Sequence, residues 1–218
     1  MRLLDLPSVT LVCADCVNAE RAIEVLELCK AKCNFGAVKL FTSLSTDYPH
    51  VVIDHLGSLS DYSDWCLTRM HEYIDTPHFI TVQHDGWILN TEAWDPAWLN
   101  YDYMGPLFLQ EHQPNDWSVG SGGFSFRSKA MMAHVAKISP KWAKGAWPHE
   151  DGEICKHHRA ALQAAGFKYP TALEAAKFAQ GGNPNPNYFV QRPFGFHGMW
   201  ANINHETGVV TPWEWPAK

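Results

Sequence analysis

Apolar runs of strand length alternate with helix-forming stretches over the first 86 residues, and this alternation constrains the fold more than any other feature. The predicted strands cover residues 9–14, 38–41, 50–53 and 79–82. One predicted helix begins after Asn18 and ends at Gly36, and a second covers residues 60–74. Strands joined through helices predict an α/β fold with a mostly parallel sheet flanked by helices, in which ligands bind at the carboxyl ends of the strands.

The size of the chain favours one domain that covers residues 1–218. A chain of 24.6 kDa buries roughly 70% of the surface of its unfolded state, so it needs neither a disulfide nor a metal ion to fold. Its 46% hydrophobic and 18% charged residues exclude a disordered or fibrous protein. Beyond residue 118, a glycine-rich stretch leads into a strand, and helices are predicted over residues 128–138 and 150–165, the last ended by Gly166.

The net charge and the cysteine content indicate which partners are disfavoured and in which compartment the protein is expected. The net charge of −6 disfavours sequence-independent binding to nucleic acid, because phosphate contacts need a basic excess. The apolar start, residues 1–14, is broken by Asp5 and Pro7 and is too short for a membrane span, and it lacks the features of a signal peptide. Six cysteines without a secretory signal predict reduced thiols and a cytoplasmic protein.

Two acidic motifs are candidates for chemistry, and each has a structural alternative. Asp85 follows a predicted buried strand, where a carboxylate can bind Mg²⁺ or Mn²⁺, but Asp85-Gly86 is also an ordinary turn sequence. Glu150 and Asp151 begin a predicted helix, where one carboxylate can act as a general base or both can complement the helix dipole. These alternatives remain open for each motif by itself.

Three further patterns are less specific. The glycines of residues 120–123 allow a ligand close to the backbone, or simply form a tight turn into a strand. The spacing Cys13-x₂-Cys16 with Cys29-x₃-Cys33 resembles a zinc site, but buried free cysteines are the better explanation, because Cys13 lies in a predicted buried strand and Cys29 and Cys33 lie on the core face of a predicted helix. Glu153 with His157 and His158 has the spacing of a metallohydrolase helix but lacks a third ligand.

The order of the motifs is more informative than any one of them. Asp15 is followed by Gln-His-Asp-Gly-Trp-Ile-Leu-Asn (83–90), Trp94-Asp95, Tyr101–Gly105, Val-Gly-Ser-Gly-Gly-Phe-Ser-Phe-Arg-Ser (119–128), His-Glu-Asp-Gly-Glu-Ile-Cys (149–155) and Phe-Gly-Phe-His-Gly (194–198). This series, from about residue 8 to residue 200, resembles a bacterial and viral family of domains of unknown function. That family is similar to compact glycosyltransferases of the GT-A type and distantly to the metal-dependent galactosyltransferases.

The resemblance implies a GT-A-like, Rossmann-type fold and a role for each matching position. The Asp-x-Asp metal motif falls on residues 83–85, where Gln83 replaces its first aspartate, so Asp85 and the late His197 are the implied ligands of Mn²⁺ or Mg²⁺. Asp151 is the implied base and Glu150 an acceptor contact. The implied donor contacts are Asp15 and Thr42 at the base and ribose, Gln83 and Asp85, and Gly122 and Gly123 at the sugar.

The resemblance implies an inverting transfer of a sugar from a nucleotide-sugar, with UDP as the expected nucleotide, to an acceptor hydroxyl. The acceptor is either a glycan or a hydroxymethylated pyrimidine of phage DNA, and the net charge disfavours DNA. Trp94, Trp147 and Trp200 are predicted acceptor contacts, since indoles stack on sugars and bases, although such residues also pack in cores. The rival hypothesis is a non-catalytic nucleotide-sugar or carbohydrate-binding module, which the departure at Gln83 supports.

Overall fold

The computed structural model describes residues 2–108, 118–141, 149–181, 188–198, 202–204 and 206–211. Six strands form the central sheet: β1 (Leu4–Ala14), β2 (Cys33–Thr42), β3 (His50–Val52), β4 (His78–Val82), β5 (Tyr103–Met104) and β6 (Phe124–Ser128). Their spatial order is β3-β2-β1-β4-β6-β5. Strands β3, β2, β1 and β4 are mutually parallel, whereas β6 runs antiparallel to both β4 and β5. The predicted mostly parallel α/β sheet is therefore confirmed.

The register of the sheet brings the candidate motifs to one edge. Cys13 on β1 pairs with Leu40 on β2 and with Val82 on β4, so the three strands end nearly level. Phe124, the first residue of the antiparallel β6, pairs with Val82, the last residue of β4. The glycine loop that precedes β6 consequently lies beside the turn that follows β4.

Helices cover both faces of the sheet. They are α1 (Ala19–Lys30), α2 (Leu59–Thr68), α3 (Lys129–Ile138), α4 (Glu150–Gly152), α5 (Arg159–Ala164) and α6 (Ala172–Phe178). Asn18 caps α1, as predicted, with its side chain accepting a hydrogen bond from the Arg21 N–H. No helix in the described part of the chain is long and apolar enough to cross a membrane.

The predicted end of the first helix at Gly36 is wrong. The helix ends at Lys30, and Gly36 lies inside β2. A side chain at Gly36 would overlap the carbonyl oxygen of Pro7 on β1, so the glycine permits a close approach between the two strands. The predicted helix over residues 60–74 is also divided, into α2 and a 3₁₀ turn at Met70–Tyr73.

The predicted helix over residues 150–165 is interrupted by a π turn. Helix α4 passes into the π turn at Glu153–His157, and α5 begins at Arg159. Gly166 follows with a φ of +98°, which is a left-handed conformation that favours glycine. Such π turns occur often at functional sites.

The core has one apolar cluster on each face of the sheet. Leu11 and Cys13 of β1 belong to one cluster, and Val12 and Ala14 belong to the other, because neighbouring side chains on a strand point to opposite faces. Cys29 on α1 packs into the first cluster, and burial raises the pKa of its thiol to about 12. The structure thus uses the cysteines of the zinc-like pattern as apolar packing groups.

Two short two-stranded sheets lie outside the central sheet in the described part of the chain. Strands β7 (Ala179–Gly181) and β8 (Gly195–His197) pair in parallel, and β9 (Asn202–Asn204) pairs antiparallel with β10 (Val209–Thr211). An isolated bridge joins Ile88 to Gly195, so β8 lies against the chain that leaves β4. This contact carries His197 to the edge at which the parallel strands end.

Candidate active site

The turn that carries Asp85 is fixed to the first helix. Its backbone closes through a hydrogen bond from the Gly86 N–H to the Gln83 carbonyl oxygen at 3.1 Å. Arg21, in the first turn of α1, donates from Nε to the His84 carbonyl oxygen at 2.9 Å. The Arg21 guanidinium also lies 5.1 Å from the centre of the Trp87 ring. The position of Asp85 is therefore set by the end of β4 and by α1 together.

His197 reaches Asp85 through direct backbone packing. The Gly198 N–H donates to the Asp85 carbonyl oxygen at 3.0 Å. A side chain at Gly86 would come within 2.7 Å of the Phe196 carbonyl oxygen, so glycine is required for this approach. The structure thereby brings together the two residues that the sequence suggests as metal ligands. His197 Nε2 lies 3.3 Å from Asp85 Oδ1.

The geometry of this pair fits a divalent cation. Two ligand atoms on neighbouring positions of an octahedral ion, each about 2.1 Å from it, are about 3 Å apart. Asp85 Oδ1 is buried and faces His197 Nε2 without a well-aligned hydrogen bond, so a cation could lie between these two atoms. A carboxylate suits Mg²⁺ and Mn²⁺, and an imidazole favours a transition-metal ion. Within the described ranges, no third His, Cys, Asp or Glu joins a metal-binding group.

Electrostatics keep the Asp85 carboxylate in its charged form. Burial is the largest single influence and would raise the pKa of this group, but the interactions with His197, together with smaller ones from His84 and the backbone, leave the pKa lowered. The carboxylate is accordingly ionised at neutral pH, as a ligand for a hard cation must be.

Asp151 lies on the other side of the glycine loop. Its Oδ2 accepts a hydrogen bond from the Gly122 N–H at 2.8 Å, and its Oδ1 accepts one from the Gly152 N–H at 2.6 Å. Burial, followed by the negative charge of Glu150, raises the pKa of Asp151 to about 6, although the two backbone donors oppose this shift. A carboxylate with a pKa near the working pH is suited to general-base catalysis.

Glu150 does not occupy the open position expected of an acceptor contact. Its carboxylate is 5% exposed and accepts a hydrogen bond at 2.8 Å from the fully buried guanidinium of Arg127 on β6. The Glu150 N–H donates to Ser63 Oγ on α2 at 3.3 Å. Glu150 is therefore a buried partner that holds the start of α4 against β6 and α2.

Gly122 and Gly123 act on the site through the side chains that they admit. A side chain at Gly122 would meet Glu150, Arg127 and Asp151, and a side chain at Gly123 would overlap the imidazole of His197. The Gly122 N–H is already bonded to Asp151. The expected backbone contact between Gly122 and a donor sugar is therefore not available in this structure, and both glycines instead let charged groups approach the loop.

Thr42 was expected to contact the nucleotide, but its side chain is not exposed to a ligand. Thr42 is fully buried, and its Oγ1 accepts from the Leu44 N–H at 3.1 Å, so its hydroxyl is part of the turn after β2. Asp15 uses Oδ1 to accept from the N–H groups of Val17 and Asn18, which shapes the turn before α1.

The residues after Thr42 and β3 were missed by the sequence analysis. Ser43 Oγ lies 3.0 Å from Nδ1 of the exposed His55, so these two polar side chains meet at the carboxyl ends of β2 and β3. The signal in the sequence is that Ser43 lies two residues after the predicted strand of residues 38–41. Gln83, half-buried after β4, lies beside the Tyr62 hydroxyl on α2.

Trp94, a predicted acceptor contact, is half-buried and packs against the core. The indole packs against Trp98, Phe194 and Phe126 at ring-centre distances of 5.3, 5.1 and 6.1 Å. These partners belong to the first core cluster, so Trp94 is a packing residue. Trp147 and Trp200 lie outside the described residues.

Arg127 is a second residue that the sequence analysis did not select. It is fully buried, and its guanidinium lies 5.3 Å from the centre of the Tyr103 ring. Tyr103 in turn donates from its hydroxyl to the Gly120 carbonyl oxygen at 2.7 Å. The available signal was an arginine inside the strand sequence Phe-Ser-Phe-Arg-Ser, because a buried strand carries a charge only where a partner compensates it.

Solved glycosyltransferases have a similar fold. A glycosyltransferase involved in the glycosylation of the major capsid of PBCV-1 matches with a TM-score of 0.55 and 13% identity, covering 88% of this chain and 92% of that one. Weaker likenesses connect the chain to the mannosyltransferase PcManGT from Pyrobaculum calidifontis, solved with GDP-Man and Mn²⁺ (TM-score 0.44, 10% identity, 76% and 56% covered). HddC from Yersinia pseudotuberculosis gives a TM-score of 0.38 at 13% identity, with 70% and 84% covered.

These identities establish likeness of fold alone, and that fold is the glycosyltransferase-like fold expected from the motifs. No curated protein sequence matches the chain significantly. The model of one family, described as "Protein of unknown function (DUF5672)", matches residues 49–197, which include Asp85, Asp151 and His197. The chain belongs to this DUF5672 family.

Proposed function

We propose that this protein is a metal-dependent glycosyltransferase that moves a sugar from a nucleotide-sugar, with UDP as the nucleotide, to an acceptor hydroxyl with inversion. One observation carries the proposal: a candidate cation site and a candidate base are held by successive residues of one loop. His197 contacts Ser121 and lies over Gly123, while Asp151 is hydrogen-bonded to Gly122 between them. A ligand at this edge of the sheet can therefore meet both groups at once.

The residues proposed to hold the cation are Asp85 and His197. When bound there, Mn²⁺ or Mg²⁺ would neutralise negative charge on the diphosphate of the donor. Asp15, Ser43 and His55, at the ends of β1, β2 and β3, are proposed to line the nucleoside end of the same crevice.

Asp151 is proposed to act on the acceptor. Its carboxylate takes the proton of the acceptor hydroxyl while the acceptor oxygen forms a bond to C1 of the sugar. The bond between C1 and the phosphate oxygen breaks, and its electron pair leaves with the nucleoside diphosphate. Attack from the face opposite to the leaving group inverts the configuration at C1. The Gly122 and Gly152 N–H groups keep the carboxylate oriented for this transfer.

A saccharide acceptor is favoured over a modified base in DNA. The net charge of −6 opposes the phosphate backbone of a duplex, and extrusion of a base would add the cost of unstacking. The second candidate function is a binding module that holds a nucleotide-sugar without turnover, and Gln83 in place of the first aspartate favours it. Release of sugar to water from the donor alone would distinguish the enzyme from the module.

Nucleotide binding is expected to depend on Mn²⁺. In a thermal-shift panel of nucleoside diphosphates and nucleotide-sugars, a ligand at 100 times its Kd stabilises the fold by about 2.7 kcal/mol, which raises the Tm by roughly 5–10 °C. Only one nucleotide series should give this shift, and only with Mn²⁺. Asp85→Asn should abolish the Mn²⁺-dependent part, whereas Asp75→Asn, an exposed carboxylate that pairs with Lys39, should leave it unchanged.

The absence of a shift with every nucleotide would contradict the proposed function. A shift that is equal with and without Mn²⁺ would instead contradict the metal role of Asp85 and His197 while leaving donor binding in place.

The rate of transfer is expected to fall in acid. Because the pKa of Asp151 is raised to about 6, its carboxylate becomes protonated as the pH falls through that value and can no longer accept a proton. The value of kcat/KM should therefore rise with pH through an apparent pKa of about 6 and then level off. A profile that stays flat from about pH 5 to pH 8 would show that another group is the base.

A further inference from the structure

Ser121 contacts the far side of the His197 ring. Its Oγ lies 3.1 Å from Nδ1 of His197, on the side opposite to Nε2. Nε2 faces Asp85 Oδ1 at 3.3 Å. The hydroxyl, the imidazole and the carboxylate thus form a row in which each ring nitrogen has one neighbour.

The position of the Ser121 side chain is itself fixed by its backbone. The N–H groups of Gly120 and Ser121 both donate to the Pro106 carbonyl oxygen, at 3.1 and 3.0 Å. A side chain at Gly105 would overlap the Ser121 carbonyl oxygen, so the loop lies directly on the segment that follows β5. The hydroxyl is accordingly held at a defined place rather than on a free loop.

The ring of His197 is also restrained, by the backbone of the glycine loop. Its imidazole lies where a side chain at Gly123 would be, so it rests on the backbone of the loop. Rotation of the ring by half a turn about the Cβ–Cγ bond would put a ring carbon in the place of each nitrogen and break the contacts with Ser121 and Asp85. The packing and this contact together favour one ring orientation.

We propose that Ser121 is a positioning residue that holds the His197 ring with Nε2 directed to a cation beside Asp85. A neutral imidazole has one N–H and one bare nitrogen, and only the bare nitrogen can bind a metal ion. A cation at this pair would take the Nε2 lone pair and leave the proton on Nδ1, from which His197 would donate to Ser121 Oγ. With no cation, an N–H at Nε2 faces the Asp85 carboxylate. Such outer partners of a ligating histidine typically change metal affinity by 10–100-fold. This inference rests on the proposed function, because it assigns the cation to Asp85 and His197.

The side chains of Ser121, His197 and Asp85 resemble an arrangement that activates a nucleophilic serine. The backbone of the loop does not fit that role. A serine nucleophile needs backbone donors for the oxyanion that forms on its substrate. The N–H groups of Gly120 and Ser121 are bonded to Pro106, and that of Gly122 is bonded to Asp151. All three of these N–H groups are therefore already hydrogen-bonded and are not available to an oxyanion.

The test measures Mn²⁺ affinity rather than turnover. Mn²⁺ is titrated into the protein and free Mn²⁺ is followed by electron paramagnetic resonance, both alone and with the nucleoside diphosphate selected in the thermal-shift panel. Ser121→Ala should weaken binding about 10–100-fold. Ser121→Thr, which keeps the hydroxyl, should recover most of that loss, and Ser60→Ala on α2 is the matched control. Pulsed measurements should detect imidazole nitrogen coupled to Mn²⁺ in the wild type and a weakened or absent coupling in Ser121→Ala.

His197→Ala separates the two ways in which the inference can fail. If His197→Ala loses Mn²⁺ affinity but Ser121→Ala binds as the wild type and keeps the nitrogen coupling, the positioning role is wrong and the proposed cation site stands. If wild type and His197→Ala bind Mn²⁺ equally, the proposed site itself is wrong and the inference falls with it. Covalent labelling of Ser121 by a fluorophosphonate probe would overturn the positioning role in favour of a nucleophile.

Discussion

Asp151→Asn is expected to lower kcat by roughly 10²–10⁴-fold, because a positioned general base contributes about that factor. Both carboxylate oxygens accept hydrogen bonds from backbone N–H groups, at 2.8 and 2.6 Å. An asparagine can keep only one of these bonds, so its amide is both non-basic and less well held. The measurement is kcat with a saturating donor, combined with the Mn²⁺-dependent thermal shift, which should persist because Asp151 is not a proposed cation ligand.

The matched control for this variant is Glu153→Gln. Glu153 lies in the π turn two residues further on, is 6% exposed, and pairs with His158 at 3.3 Å. Its replacement removes a buried carboxylate from the same segment without touching the glycine loop, so kcat should change by no more than a few-fold. A kcat near the wild-type value in Asp151→Asn, or equal losses in both variants, would show that Asp151 is not the base.

The sheet and the meeting of Asp85 with His197 were accessible from the sequence for identifiable reasons. A buried strand leaves a continuous apolar run, as residues 79–82 do, and the parallel order places the following residue at the ligand-binding edge. The late histidine has no such local signal. Its assignment rests on the order of the motifs. In the structure, the backbone contact between Gly198 and Asp85 places His197 beside Asp85.

The other departures from the sequence predictions concern contacts that no local sequence pattern shows. Trp94 has the side chain of a sugar-stacking residue, and only the fold reveals Phe194 against its ring. The helix predicted to reach Gly36 fits the helical period, but the requirement that β2 approach Pro7 overrides it. Thr42 was placed correctly at a strand end, yet its hydroxyl is used locally by the Leu44 N–H.

The glycine loop illustrates the same limit at the site. Glycines next to a strand were interpreted as space for a ligand, which is the usual reason for such a cluster. The space is instead taken by His197, 74 positions beyond Gly123, and by the pair of Arg127 and Glu150. A glycine in the sequence indicates that a side chain would not fit at that position, but only the fold shows which group occupies the space.

Arg127→Met is expected to destabilise the protein by about 3–5 kcal/mol, because it leaves Glu150 buried without its cation. For a chain of this length the Tm should fall by roughly 6–20 °C. Arg69→Met is the matched control, since Arg69 pairs with Glu72 at 3.0 Å where both side chains are about half exposed. That pair should contribute no more than about 1 kcal/mol. Denaturant unfolding of both variants measures the difference, and a loss below about 1 kcal/mol in Arg127→Met would contradict the buried ion pair.

The double variant Arg127→Met/Glu150→Gln decides what the ion pair contributes. Replacing both members removes the uncompensated charge, so much of the lost stability should return. The charge of Glu150 is, after burial, the next cause of the raised pKa of Asp151, and the opposing effect of Arg127 is smaller, so removal of both should lower that pKa below about 6. The acid limb of kcat/KM should then move to lower pH in the double variant. If stability returns and the acid limb stays in place, the pair serves the fold and not the base. If both change as expected, a buried ion pair on β6 tunes the catalytic carboxylate on α4.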